Sequence, residues 1–279
     1  MHSLISPTQV GVREASVCGS CRTHDCIRGN AQQHSFQRGC ELHLFQPKKL
    51  GNVDCTFCLD CVHACPQQNV GILFAVPGQR LHEDHSGSGI GRLSRRPDVA
   101  ALVLVLVFGA FLNAAGMTEP VMIWMHQWHA RLGSMLAVVT VMYAAGLLIA
   151  PALLAAACGW ISRVGARGSW KDLTCSFTLA LVPVGFSMWL AHFSNHFLAW
   201  WSSVIAWNWS WIPSLELSFL DLGLLLSLYT TWRVAVRVAA GGRKALAAMG
   251  PWAVLAGALY AMGVWIVFQP MQMRGMMMH

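Results

Sequence analysis

Cys55-Thr-Phe-Cys58-Leu-Asp-Cys61-Val-His-Ala-Cys65-Pro66 has the form C-x2-C-x2-C-x3-C-P. With two residues between successive cysteines, one loop wraps three corners of an iron–sulfur cube, and each thiolate meets one iron. A fourth cysteine set beyond the loop and followed by proline commonly ligates the other cluster of a pair. Upstream lie Cys18-x2-Cys21-x4-Cys26 and, after a gap, Cys40, a looser version of the same arrangement. The cross-over logic groups Cys18, Cys21, Cys26 and Cys65 around one [4Fe–4S] cluster, and Cys55, Cys58, Cys61 and Cys40 around a second, so one to two clusters are expected.

Two other uses of these thiols compete. A disulfide scaffold needs an oxidising compartment, against the topology derived below. Structural zinc suits paired C-x2-C knuckles, but it needs neither a third cysteine two residues on nor the C-P ending. His24, His34, His43 and His63 then read as polar surface residues, with His63 inside the cluster loop and placed to tune its potential.

Outward from the cysteines the composition changes. Apolar residues make up 55% of the 279-residue chain and charged residues 11%, well below the roughly 25% charged of soluble domains. Mean hydropathy is +0.48. Residues 1–17 form a polar N-terminus without the continuous apolar core of a signal peptide. Residues 18–78 form the cysteine domain and residues 79–98 a basic Gly/Ser-containing linker. Residues 99–268 hold hydrophobic runs, and 269–279 a Met-rich tail. A bilayer crossing needs about 20 residues, and five runs qualify: Val99–Met117, Leu132–Cys158, Leu173–Ala199, Ser214–Ala239 and Gly250–Phe268. The fold class expected is a five-helix membrane bundle carrying a small N-terminal ferredoxin-like domain.

Charge between the runs sets the orientation. Arg92, Arg95, Arg96, Arg163, Arg167, Lys171, Arg233, Arg237, Arg243 and Lys244 fall on one side, and only Arg131 and Arg274 on the other. The positive-inside rule therefore puts the N-terminus and its cysteines in the cytoplasm of a bacterial-type inner membrane, with the C-terminus outside. The net charge of +7 is accounted for by these clusters, and nucleic acid is not an expected partner. The loop WWSSVIAWNWSWIP, residues 200–213, suits an interfacial aromatic belt.

The C-x2-C-x2-C-x3-C-P motif joined to a multi-span part resembles the membrane polyferredoxins of periplasmic nitrate and nitrous-oxide reduction. It is also similar to the polyferredoxin that accompanies assembly of copper-containing cytochrome oxidases. The resemblance rests on residues 18–66 and the general architecture. It implies single-electron transfer between the clusters and a quinol pool or a partner oxidoreductase subunit. In those relatives further spans precede the cluster domain, so the resemblance also implies a chain short at its N-terminus. The alternative it raises is an accessory factor that reduces or handles copper during assembly of a metalloenzyme.

Ionisable groups inside spans mark functional sites by default. His192 and His196 lie four apart, on one helix face with Met188 and Asn195, roughly 6 to 12 Å below the outer surface at 1.5 Å per residue. Asp221, at a similar depth, and Glu216 are the expected companions in a pocket for a quinone headgroup, a metal ion or half of a haem b site. The competing use is hydrogen bonding that fixes helix packing. Met122, Met125, His126 and His129 in the first outer loop, with Met271, Met273, Met276, Met277, Met278 and His279 in the tail, suit Cu(I) or a flexible apolar surface. Gly87-Ser-Gly89-Ile-Gly91 follows no strand and reads as linker. Cys158 and Cys175 read as buried thiols. No nucleotide or flavin motif is present, so the chain is not expected to oxidise a carbon substrate by itself.

Overall fold

The computed structural model describes residues 2–30, 37–84, 91–204 and 210–271. The chain divides into two compact units, Met1–Arg95 and Arg96–His279.

In the first unit α1 (His2–Ile5) leads into β1 (Thr8–Val12), followed by α2 (Ala15–Ser20) and α3 (Asp25–Arg28). After a long irregular stretch come α4 (Asp60–Ala64), β2 (Val70–Phe74) and α5 (Gln79–His82). The two strands pair antiparallel in the register Thr8↔Phe74 to Val12↔Val70. Among the described residues this is the unit's whole sheet, too little to identify a fold family. Its effect is nonetheless decisive, because it brings the segment entering the first cysteines beside the segment leaving the last.

Two buried asparagines reinforce that closure. Asn69 accepts from the Glu14 N–H at 3.0 Å through Oδ1 and donates to the Glu14 carbonyl at 2.7 Å through Nδ2. Asn52 accepts from Val10 N at 3.3 Å and donates to the Thr8 carbonyl at 2.6 Å. Asn52 thus satisfies backbone groups along β1 that a third strand would otherwise pair. The core is small, and cysteine supplies much of it. Val10, Cys40, Leu44, Cys61 and Val70 are buried together, with Val12, Cys26, Cys55, Leu59, Val62 and Cys65 packed around them.

The stretch expected as a free linker is partly folded. In α5 Leu81 is buried, and the Asp84 carboxylate accepts from the Ser94 N–H at 3.1 Å and from its hydroxyl at 2.7 Å. Residues 85–90, which include Gly87 and Gly89, lie outside the described set.

The second unit contains five helices long and apolar enough to cross a membrane: Pro97–Ala115, Met135–Val164, Trp170–Leu198, Ile212–Val238 and Gly242–Val267. They correspond one for one to the runs read from the sequence. The first is α6 (Pro97–Ala115). It is followed by α7 (Glu119–Leu132), a helix where a loop was expected, which ends at Gly133 with φ 69°. The second span joins α8 (Met135–Ala144) to α9 (Ala150–Ile161) through a π-helical turn at Ala145–Ile149. The widened turn directly precedes Pro151, whose ring and missing N–H disturb a regular α turn.

The third span joins α10 (Trp170–Thr178) to α11 (Val182–Val204), and the last two are α12 (Ile212–Val238) and α13 (Gly242–Val267). In the most apolar stretch of the third span 78% of the residues are buried, against 11% in the second, so the third forms the centre of the bundle. It packs closely on α12 because Gly223 presents no side chain there. An added Cβ at that position would collide with the Ser187 side chain, the small-residue contact typical of helices packed in lipid. The last helix begins eight residues before Gly250, with Pro251 inside it. Gly250-Pro251 reads as a break in sequence, but contacts around Ser162 hold the helix through it. The Ser162 hydroxyl lies 2.8 Å from the Ala248 carbonyl and accepts from Trp252 Nε1 at 3.1 Å.

Candidate functional site: two thiol sets and an intramembrane polar cluster

All ten cysteines are free, and the eight of the first unit fall into two neighbourhoods. Cys18, Cys21, Cys26 and Cys65 line one cavity with His24, Asp25 and Asn69. Cys18 comes from α2 and Cys26 from α3, while Cys65 ends α4 and reaches the cavity through the β1–β2 closure. The second neighbourhood is centred on buried Cys61, which lies within electrostatic reach of Cys40, Cys55 and Cys58, and also of Cys26 from the first. The first cavity thus joins three cysteines from the start of the region to Cys65 from its end.

Local structure explains the irregular upstream spacing. His24 and Leu59 both occupy the left-handed region, φ 54° and 68°, and each is followed by Asp, then Cys, at the start of a short helix. His24-Asp25-Cys26 and Leu59-Asp60-Cys61 are therefore the same turn used twice, and α3 packs against α4. The upstream copy carries two extra residues before its left-handed position, which turns x2 into x4. Cys40 is delivered to the second set by its own N–H, which donates to the Cys26 carbonyl at 2.9 Å. The close approach depends on Gly39, where a Cβ would collide with the Ile27 carbonyl and the Gly29 nitrogen.

The thiols are not electrostatically alike. Burial, followed by the charges of Cys65, Cys18 and Cys21, pushes the Cys26 thiol up to about 11. Burial, followed by Cys40, Cys55 and Cys58, pushes Cys61 up to about 11. Cys21 is held below its usual value, chiefly by a backbone hydrogen bond from His24. Two N–H groups of one residue point at sulfur, since Asn69 Nδ2 lies 3.2 Å from Cys18 Sγ and its backbone N lies 3.4 Å from Cys65 Sγ.

Lys49 is the other unforeseen neighbour. It is 7% exposed and donates to the carbonyls of Val10 at 2.7 Å and Gly51 at 2.6 Å. Burial lowers its pKa, opposed by Cys55, Asp54, Cys61 and Cys40. Neither Asn69 nor Lys49 carries a sequence signal, because only the strand pairing brings them to the thiols. His63 is exposed on α4 and His43 is an exposed loop residue. His34 lies outside the described residues.

In the second unit, His192 is 4% exposed, and its Nε2 lies 3.2 Å from Asn113 Nδ2 on α6. Its ring stands edge-on to His196 at 4.6 Å between centroids. Asn195, on the same helix face, lies near the Glu216 carboxyl of α12, and Glu216 is 3% exposed. One polar cluster therefore bridges three spans. His192 Nδ1 and Glu216 Oε1 are buried there without a hydrogen-bond partner. Asn113 is the member sequence reasoning missed, although a lone Asn in the apolar run 99–117 is a signal of its own.

Asp221 is a correction. It is exposed and accepts from the Tyr260 hydroxyl at 2.6 Å. At 100° per residue it stands about 140° round the helix from Glu216, so the structure gives it to α13 rather than to the histidines.

Met122, Met125, His126 and His129 all lie on α7, and Met271 pairs with Thr118 just before it. Residues 272–279 of the Met-rich tail lie outside the described residues, as do 205–209 of the Trp-rich loop. Cys158 and Cys175 are buried in α9 and α10. Among the described residues, no three of His, Cys, Asp or Glu converge closely enough to hold a single metal ion. Comparison of the chain with known protein families, with curated proteins and with solved structures returned no match.

Proposed function

We propose that this chain is a membrane-anchored electron-transfer protein whose N-terminal unit is a ferredoxin-like domain holding two [4Fe–4S] clusters. Cys18, Cys21, Cys26 and Cys65 would hold one, and Cys40, Cys55, Cys58 and Cys61 the other. The observation that carries this proposal is the interleaving of the eight free thiols into two sets of four, related by a repeated left-handed turn. A disulfide framework does not account for eight free thiols. A single zinc ion draws its ligands to about 2.3 Å, a convergence these side chains lack. A four-iron cube holds its thiolates farther apart, and thiols that form much of a small core suit a cofactor that completes it.

When bound, such clusters supply single-electron transfer. The chain's own residues do the rest. Asn69 supports sulfur lone pairs at Cys18 and Cys65 with N–H donors, which favours the reduced form. Burial of Cys40 and Cys61 shields one side of the second set, while Cys58 is exposed. Proximity of Cys26 to Cys61 brings the two sets to neighbouring positions, as electron hopping needs. In the spans, the Asn113–His192–Asn195–Glu216 cluster offers hydrogen-bond donors and acceptors for a quinone headgroup, the exchange partner we favour over a soluble acceptor. The charge distribution supports a cytoplasmic first unit with the C-terminus outside.

Electron paramagnetic resonance with metal analysis, on protein purified anaerobically, tests the proposal. About eight irons with two interacting [4Fe–4S] signals are expected. Stoichiometric zinc, or iron-free protein after anaerobic reconstitution, would refute it.

A further inference from the structure

Lysine is almost never fully buried unless paired, and an ammonium removed from water costs several kcal/mol when it is not matched. Lys49 is buried and its nitrogen is held by two backbone carbonyls, those of Val10 and Gly51. Carbonyl dipoles alone are a poor reason to bury a cation, since a neutral amide would serve them equally. Val10, whose carbonyl holds the ammonium, packs in one core with Cys40 and Cys61, and Cys55, Asp54, Cys61 and Cys40 all favour the charged form of Lys49. The carboxylate nearby, Asp54, is half-exposed and so more screened by solvent. Among the described residues no lysine or arginine lines the cavity of the first set, whose lining includes His24 and Asp25. Asn69 gives that first set two N–H dipoles, a smaller influence than a full buried charge.

We propose that Lys49 is the internal counter-charge of the Cys40, Cys55, Cys58 and Cys61 set, and that it makes this cluster the stronger electron acceptor of the two. The proposal rests on the two-cluster reading above. Each reduction adds one electron to a site that four thiolates already make anionic, and a nearby positive charge favours that added electron. Electrons entering the domain come to rest on the second set, which fixes the sense of transfer between the two clusters.

The test is a redox titration of the whole chain in detergent, read by electron paramagnetic resonance. In the unaltered protein two waves are expected. Lys49→Gln, which keeps amide donors for the two carbonyls, should lower the higher wave by about tenfold in its reduction equilibrium, 59 mV for one electron, and leave the other in place. Lys49→Arg should leave both in place. If Lys49→Gln does not fold, Lys49→Met, which removes the charge and keeps an unbranched side chain, provides a second arm and should lower the same higher wave. Waves unmoved in both variants, a shift of the lower wave alone, or equal shifts of both would overturn the proposal while leaving the two clusters standing. Protein without clusters would overturn the parent reading as well.

Discussion

Asn69 joins the closing strand to the first thiol set by a run of hydrogen bonds, and its loss should be felt in both. Asn69→Leu removes the two side-chain bonds to Glu14 and the one to Cys18. At roughly 0.5–1.5 kcal/mol each, about 2–4 kcal/mol of stability should go, read as a lower unfolding midpoint in a denaturant titration. Loss below about 0.5 kcal/mol would mean the clamp is idle. The thiols make a second, pH-dependent prediction for metal-free protein. Cys26 and Cys61 are raised from 9.0 to about 11, so folding favours their protonated forms. The stability this contributes is present below about pH 9 and is lost as pH rises through 11. Thermal melts of the metal-free chain should fall across that window, and melts of iron-loaded protein, whose ligating sulfurs are already deprotonated, should not.

At the scale of elements, the five spans were legible because apolar runs of bilayer length have few other uses. Their ends were not. Gly250-Pro251 has the chemistry of a helix break, yet α13 runs through it on tertiary contacts to Ser162. The first outer loop proved to be α7, since Pro120 at its start and Gly133 after its end suit a helix. Depth alone put Asp221 with the histidines, whereas helical phase separates them. Spacing anticipated that Cys65 meets Cys18, Cys21 and Cys26 at one cavity, while Asn69, Lys49 and Asn113 required knowledge of which segments meet. On α11, His192→Ala with His196→Ala should abolish quinol-linked turnover while leaving the cluster spectrum unchanged. Undiminished turnover in the double variant would assign the histidines to helix packing alone.

At the scale of the molecule, two units hold together by different means. The second is a bundle of long apolar helices with a central third span. The first has short helices, one two-stranded sheet and a core much of which is sulfur. Anaerobic removal of iron should therefore unfold the first unit and spare the second. Most of the helical circular dichroism should survive, and protease sites within residues 2–84 should open. Full protection of that segment after iron removal would show that its own packing suffices.

The pairing of β1 with β2 has a consequence for biosynthesis. Synthesis exposes Cys18, Cys21 and Cys26 early, and the missing partner of that trio, Cys65, is among the last residues of the unit's cysteine region to emerge. At roughly 5–20 residues per second, the nascent chain carries an unfinished, reactive triad for several seconds. Cys40 waits in the same way for Cys55, Cys58 and Cys61. Cys61 and Cys65 then emerge almost together, within and just after one short helix, before the Pro97–Ala115 span is made.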